Sequence, residues 1–216
     1  MEEGELAKFN KSACLSFFST ALISGLISCA TVPPRGQENI CEIFRQYPSW
    51  YDYSHQSEKK WGTPKHIQMA FIRQESSFVA NARPPFKWFL FIPLGRGSSA
   101  EGYAQAQDAV WKEYEAERGS LFRGRSDMED ALDFIGWYNN NSHQRLGLGK
   151  QNARELYLAY HEGHTGYRRK SFQRKPWLLK VSERVERKAQ AYRSQLAACE
   201  AEFRCRKFWQ FWPFCS

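Results

Sequence analysis

The sequence predicts a mainly α, single globular domain of about seven helices, and three observations carry that prediction. Apolar residues recur at helical spacing over most of the chain beyond residue 38. Extended character is confined to residues 86–94, fenced by Pro84, Pro85 and Pro93. No internal repeat and no alternation of strands with helices occurs. With 216 residues, 42% hydrophobic and 25% charged, the chain can bury one sizeable core, which excludes collagenous, low-complexity and wholly disordered classes.

The first thirty residues stand outside the fold. Lys8 and Lys11 precede an apolar run over residues 13–27 that is too short to span a bilayer and matches the core of an export signal, although Glu2, Glu3 and Glu5 depart from a positive leader. The run ends Leu26-Ile27-Ser28-Cys29, which resembles a bacterial lipobox. That resemblance implies lipidation of Cys29, and Ala30 after it implies sorting to the periplasmic face of the outer membrane. The expected organisation is a signal over 1–28, a lipidated Pro- and Gly-containing tether over 29–37, a folded body over 38–200 and an aromatic tail over 201–216.

The body reads as a series of helices. Ile40, Ile43, Phe44 and Tyr47 share a helical face that Pro48 ends. Ser49 can cap a second helix running to Trp61, with Gly62 as its stop, and Thr63-Pro64 opens a third with its stripe at Ile67, Phe71, Gln74 and Phe78. The insertion over residues 81–100 reads as a long loop, and loops of that length in compact domains usually carry function. Ser126 and Glu129 form a capping box before a helix with Met128, Leu132, Ile135 and Tyr138 inward. Asn152 and Glu155 open the next, which stops at Gly163. Pro176 starts the longest, with Leu178, Val181, Val185, Tyr192, Leu196 and Cys199 in line.

Cysteine count agrees with export. With Cys14 in the signal and Cys29 lipidated, Cys41, Cys199, Cys205 and Cys215 remain, and an even number in an oxidising compartment suggests two disulfides. Three pairings are open, besides the reading of four buried thiols. Cys41 with Cys199 would staple the ends of the domain, and Cys205 with Cys215 would close a short loop. No Cys-x-x-Cys pair supports a zinc ribbon or thioredoxin-like site.

The net charge of +8 points to an anionic partner: nucleic acid, an anionic membrane or cell-wall polymer. An exported, surface-anchored chain makes nucleic acid the poorest of the three. Eight Trp residues suit carbohydrate or a membrane interface.

Glu75 is the most informative position for chemistry. It lies four residues after Phe71 and three before Phe78, beside the apolar stripe of its helix. A carboxyl held there is desolvated, its pKa rises, and it can protonate a leaving oxygen. A solvated glutamate at a helix end is the plainer reading of the position alone.

The neighbouring residues add a family. Ile72-Arg73-Gln74-Glu75-Ser76-Ser77-Phe78 resembles the Glu-Ser motif of soluble-lytic-transglycosylase-like (SLT) domains. Gly102-Tyr103-Ala104-Gln105 resembles their Gly-Leu-Met-Gln motif, and Ala159-Tyr160-His161-Glu162-Gly163 their Ala-Tyr-Asn-x-Gly motif. The order matches, and the resemblance covers residues 39–199. It implies a lysozyme-like fold and cleavage of the β-1,4 bond between N-acetylmuramic acid and N-acetylglucosamine in peptidoglycan, with a 1,6-anhydromuramoyl product and no cofactor. Glu75 would be the single acid and base. Tyr160 would hydrogen-bond near it and orient it. Ser76, Gly102, Tyr103 and Gln105 would line the substrate groove. Trp88, with Phe89 and Phe91 of the insertion, is a candidate for stacking on sugars, the alternative being a loop that packs its own aromatics.

Tyr103-Ala104 in place of Leu-Met, and His161 in place of Asn, depart from the family pattern. They bear on substrate length and chain-end preference more than on the reaction. Asp127, Asp130 and Asp133 read as helix-start charges, with Asp130 or Asp133 as the second carboxylate of a hydrolytic rival, a muramidase. His161 and His164 lack zincin spacing, and no metal is expected. The basic residues 168–170, 174 and 175 can steer wall carboxylates or form a solvated loop. The expected partners are glycan strands and the membrane, with wall-synthesis or secretion machinery a further possibility. A peptidoglycan-binding lipoprotein without activity is the rival from another class. The tail over 208–214 is too short to span a membrane; packing back on the long helix is favoured over dipping into the interface.

Overall fold

In a computed structural model, residues 31–118 and 124–204 are described. The segment read as an export signal, Cys29, Cys205, Cys215 and the aromatic tail lie outside the described residues.

Helix α1 (Ile40–Gln46) opens where the Asn39 side chain accepts the Cys41 amide at 2.9 Å. Helix α2 (Pro48–Trp61) is capped at Tyr47, two residues before the expected cap Ser49, with Pro48 in the first turn, where its fixed φ suits the helix and its missing N–H costs nothing. Gly62 ends it at φ 80°. Helix α3 (Lys65–Ser76) follows, with Pro64 and not Thr63 at its N-cap. It stops at Ser77 (φ 50°) and Phe78 (φ 61°). A left-handed conformation is costly for a residue as bulky as Phe78, and burial of its ring against Trp50, centroids 5.7 Å apart, supports it. This abrupt stop leaves Glu75 in the last turn of α3.

The insertion is a two-stranded antiparallel hairpin, β1 (Phe86–Phe89) and β2 (Ile92–Arg96), with Phe86 opposite Arg96 and an irregularity between Lys87 and Trp88. Helix α4 (Asp108–Arg118) comes next, then α5 (Met128–Leu146), α6 (Ala153–Arg168), a 3-10 turn (Ser171–Arg174), α7 (Pro176–Cys199) and the short α8 (Ala201–Arg204). Asp127, not Ser126, caps α5, accepting the amides of Glu129 and Asp130 at 2.9 and 3.2 Å. Asn152 caps α6 as expected, accepting the Glu155 amide at 3.1 Å.

The lysozyme-like, mainly α domain is organised around α5, buried on most sides by α2, α3, α4 and α6, while α7 lies across α1, α3 and α6. The α2–α5 crossing requires Gly136: a Cβ there would fall 2.4 Å from Ser57 Oγ, which donates to the Leu132 carbonyl at 2.8 Å. Phe44, Phe71, Leu132, Phe134, Ile135, Leu156, Leu158 and Tyr192 fill the core, each large side chain worth about 1.5–3 kcal/mol on burial. Of the three cysteine pairings, the structure contains Cys41–Cys199, with Cα atoms 6.2 Å apart. Around it, Gln195 accepts the Ile40 amide at 3.0 Å and donates to the Glu38 carbonyl at 3.1 Å, so α1 is fastened to α7.

Candidate active site

Glu75 meets α6 through aromatic rings. Phe71, one turn earlier on α3, packs edge-on against Tyr157 and Tyr160, with centroids 5.3 and 5.5 Å away. The carboxyl is thereby desolvated, and burial raises its pKa to about 7 against the lowering effect of a hydrogen bond from the Tyr157 hydroxyl. Among the described residues, no second acid and no cation contributes to that shift. Near neutrality the group is part acid and part carboxylate, the state in which one residue can both give and take a proton.

Tyr160, the residue that the family motif marks, does not make the expected bond. Its hydroxyl donates to the Ala104 carbonyl at 2.6 Å, so it ties α6 to the Gly102–Gln105 turn. It stays within electrostatic range of Glu75, which helps to push its own pKa well up, after burial. Tyr157 is the partner that the sequence reading missed. The signal was available: three residues before Tyr160, it shares the same helix face.

The Gly102–Gln105 turn is built from backbone. Gly102 sits at φ 79°, and a Cβ would lie 2.0 Å from the Arg125 carbonyl, so only glycine fits. Its amide donates to the Ala82 carbonyl at 2.9 Å, and the Tyr103 amide to the Arg125 carbonyl at 3.1 Å. Gln105, at φ 48°, spends its amide nitrogen on the carbonyls of Ala82 and Gly102, at 2.8 and 2.9 Å. Its side-chain oxygen is the atom left to meet a ligand. Tyr103 forms no groove wall: it is fully buried and packs edge-on against Trp50, 5.9 Å away. The larger phenol ring replaces the family's Leu inside the core.

Beside this turn lies a cavity of about 250 Å³, lined by Gln105, Val110, Phe134, Tyr138, Tyr160 and His161, among others. Gly163 interrupts α6 at φ 71°, ψ 159°, which turns the chain at the cavity's edge. Aromatic walls with a few polar groups suit a sugar ring. A larger hollow of about 540 Å³ runs along α4, where Arg125 pairs with Glu101 and Asp108; Glu75 is among the lining residues of neither cavity, and Tyr160 joins its surroundings to the smaller one.

The remaining candidates divide. Ser76 is buried and donates back to the Ile72 carbonyl at 3.2 Å, a helix-end hydroxyl rather than a groove contact. Trp88 lies in β1, and its side chain is outside the described set. Asp133 accepts from Trp61 Nε1 at 2.7 Å, the Tyr114 hydroxyl at 2.9 Å and Lys60 at 3.1 Å, while Asp130 pairs with Arg118. Both belong to a polar cluster joining α2, α4 and α5. Glu162 is enclosed by Lys175, Ser171 and His161, and these hydrogen bonds together hold its pKa low against burial. His161 faces the exposed Trp177, and His164 stacks on Tyr138 with its ring nitrogen 2.9 Å from the Ser142 hydroxyl.

Fold and site together define a lysozyme-like domain built around one desolvated carboxyl. A family model described as Transglycosylase SLT domain matches residues 17–199, and the chain belongs to that family. The match begins inside the apolar run assigned to the export signal. No curated protein matches the chain. The family implies peptidoglycan lytic transglycosylase activity, with peptidoglycan as the substrate bound.

Proposed function

We propose that the chain cleaves the β-1,4 bond between N-acetylmuramic acid and N-acetylglucosamine without water, leaving a 1,6-anhydromuramoyl end, with Glu75 as the sole acid and base. One observation carries this reading: a carboxyl that burial raises to a pKa of about 7, opposed only by Tyr157, with no second acid in its electrostatic surroundings among the described residues. Two-carboxylate glycosidases need the second group to activate water or to attack carbon. Here the muramic acid's own 6-hydroxyl does that work, and its intramolecular position supplies a high effective concentration.

The steps balance. Protonated Glu75 gives its proton to the bridging oxygen as the C1–O bond breaks, and the N-acetylglucosamine portion leaves as the 4-alcohol. The resulting carboxylate removes the proton of the 6-hydroxyl as that oxygen bonds C1. Glu75 ends protonated, ready for the next bond. Gln105 and Tyr160 line the place for the sugar. Lipid on Cys29 would hold the enzyme at the periplasmic face of the outer membrane, within reach of the glycan strands.

The test is mass spectrometry of muropeptides released from purified sacculi by the wild type and by Glu75→Gln. Anhydromuropeptides from the wild type alone support the proposal. Reducing-end muropeptides would establish hydrolysis, and sacculus binding without release by either protein would establish a binding module.

A further inference from the structure

We propose that the β1–β2 hairpin is a membrane-docking element whose apolar tip enters the surface of an anionic lipid bilayer. Its exposed apolar side chains are concentrated in one place: Leu90 is 78% exposed, Phe91 94%, Ile92 60% and Leu94 64%. These four side chains are left largely uncovered, and patches of this kind mark a surface that something apolar covers.

Three features select a bilayer as the occupant. The tip offers an exposed apolar turn, Leu90 and Phe91, beside Ile92 and Leu94, which share one face of β2, and hydrocarbon can surround turn and face together. Leucine and isoleucine offer no hydrogen bonds, which glycan hydroxyls would demand. The charge at the root is one-sided. Residues 76–100 hold no Asp or Glu, and Lys87 and Arg96 have no acidic partner among the described residues. Arg96 lies over the Phe86 ring, 4.4 Å from its centroid. At about 3.3 Å per strand residue, Arg96 stands roughly 13 Å from Ile92, so a tip sunk about 5–10 Å sets the cations among lipid phosphates.

The turn itself gives a second, independent sign. Leu90 occupies a left-handed conformation, φ 54°, where hairpins place Gly or Asn. A bulky apolar side chain held at that position in solvent is a local conflict, and such conflicts mark functional positions. The hairpin's root leads to Ala82, which accepts from Gly102 and Gln105, so docking would also hold the catalytic cleft near the leaflet.

The experiment is hydrogen exchange followed by mass spectrometry on the full chain, with and without vesicles of phosphatidylethanolamine and phosphatidylglycerol. Exchange over residues 86–96 should slow by at least about tenfold with these vesicles, and less with phosphatidylcholine alone. Leu90→Ser/Phe91→Ser should lose that protection with its melting temperature unchanged, although other segments still hold the chain on the vesicles. Lys87→Glu/Arg96→Glu should weaken it and remove its salt dependence. Unchanged exchange at 86–96, or equal protection in the serine variant, would overturn the proposal. So would protection without vesicles that grows with protein concentration, which would make a second copy the occupant, or protection by soluble glycan strands, which would make it a sugar-stacking flap.

Discussion

The Tyr157 hydroxyl faces the Glu75 carboxyl from the neighbouring helix, and its hydrogen-bonding influence is what opposes the effect of burial on that group's pKa. Because the bond favours the charged form, removing it raises the pKa above about 7. A bond to a charged group is worth about 1.5–3 kcal/mol, or roughly one to two pH units. In Tyr157→Phe the alkaline limb of the pH–rate profile should move up by that amount, since the protonated acid persists to higher pH. A uniform loss of rate with the limb in place would reduce Tyr157 to packing.

Glu75 also costs stability at neutral pH. Its pKa is near 4.5 unfolded and about 7 folded, so between those values the native state holds the extra proton and stability falls as pH rises. The difference corresponds to at most about 3 kcal/mol. Glu75→Gln should match the wild type in melting temperature near pH 4.5 and exceed it at pH 8. Comparing the two proteins cancels His66, whose pKa burial lowers to about 4 and whose contribution is lost as pH falls from about 6.5. Equal melting temperatures at both pH values would mean that the carboxyl is solvated.

What the sequence revealed and what it hid have physical causes. The stripe of α7 was legible because 24 residues repeat one pattern, and Glu75 because an acid beside Phe71 interrupts an apolar face. Helix α4 was missed. It buries only Trp111 and Tyr114, too few for a periodic signal, and its anchor is a side-chain bond from Tyr114 to Asp133 on another helix. Helix caps shifted by one residue from Thr63 to Pro64 and from Ser126 to Asp127, and by two from Ser49 to Tyr47, where Pro48 takes the first helical position. Tyr157 stayed hidden because its role depends on how α3 meets α6, which spacing along one helix does not encode.

The turn that carries Gln105 depends on Gly102. Gly102→Ala places a methyl 2.0 Å from the Arg125 carbonyl and adds the left-handed cost of about 1–2 kcal/mol. The variant should lose both thermal stability and sacculus cleavage. Gly147→Ala, also at positive φ (70°) but with open space around the new methyl, serves as the control and should cost about 1 kcal/mol without affecting cleavage. Equal effects would mean that the turn relaxes freely around the added carbon.

The Cys41–Cys199 bridge spans 158 residues of sequence. Loop-closure entropy assigns such a link up to about 5 kcal/mol, and measured losses usually fall between about 2 and 5. Cys41→Ser/Cys199→Ser should therefore melt well below the wild type while cleaving normally at low temperature, since the bridge joins α1 to the C-terminal end of α7 and neither cysteine lines the cavity beside Gln105. An unchanged melting temperature would show that the Gln195 bonds to Ile40 and Glu38 already hold α1 to α7.

Asp133 separates the two enzymatic readings. It accepts from Trp61, Tyr114 and Lys60, so Asp133→Asn replaces one acceptor oxygen by a donor facing donors, at a cost of about 1–3 kcal/mol. If Asp133 only braces α2, α4 and α5, the folded fraction of the variant should release anhydromuropeptides at close to the wild-type rate. If it served as a second catalytic carboxylate, the variant should lose about 10²–10⁴ in rate while still folded. Circular dichroism and product analysis on one preparation decide between the two, because an unfolding loss tracks the melting curve and a catalytic loss does not.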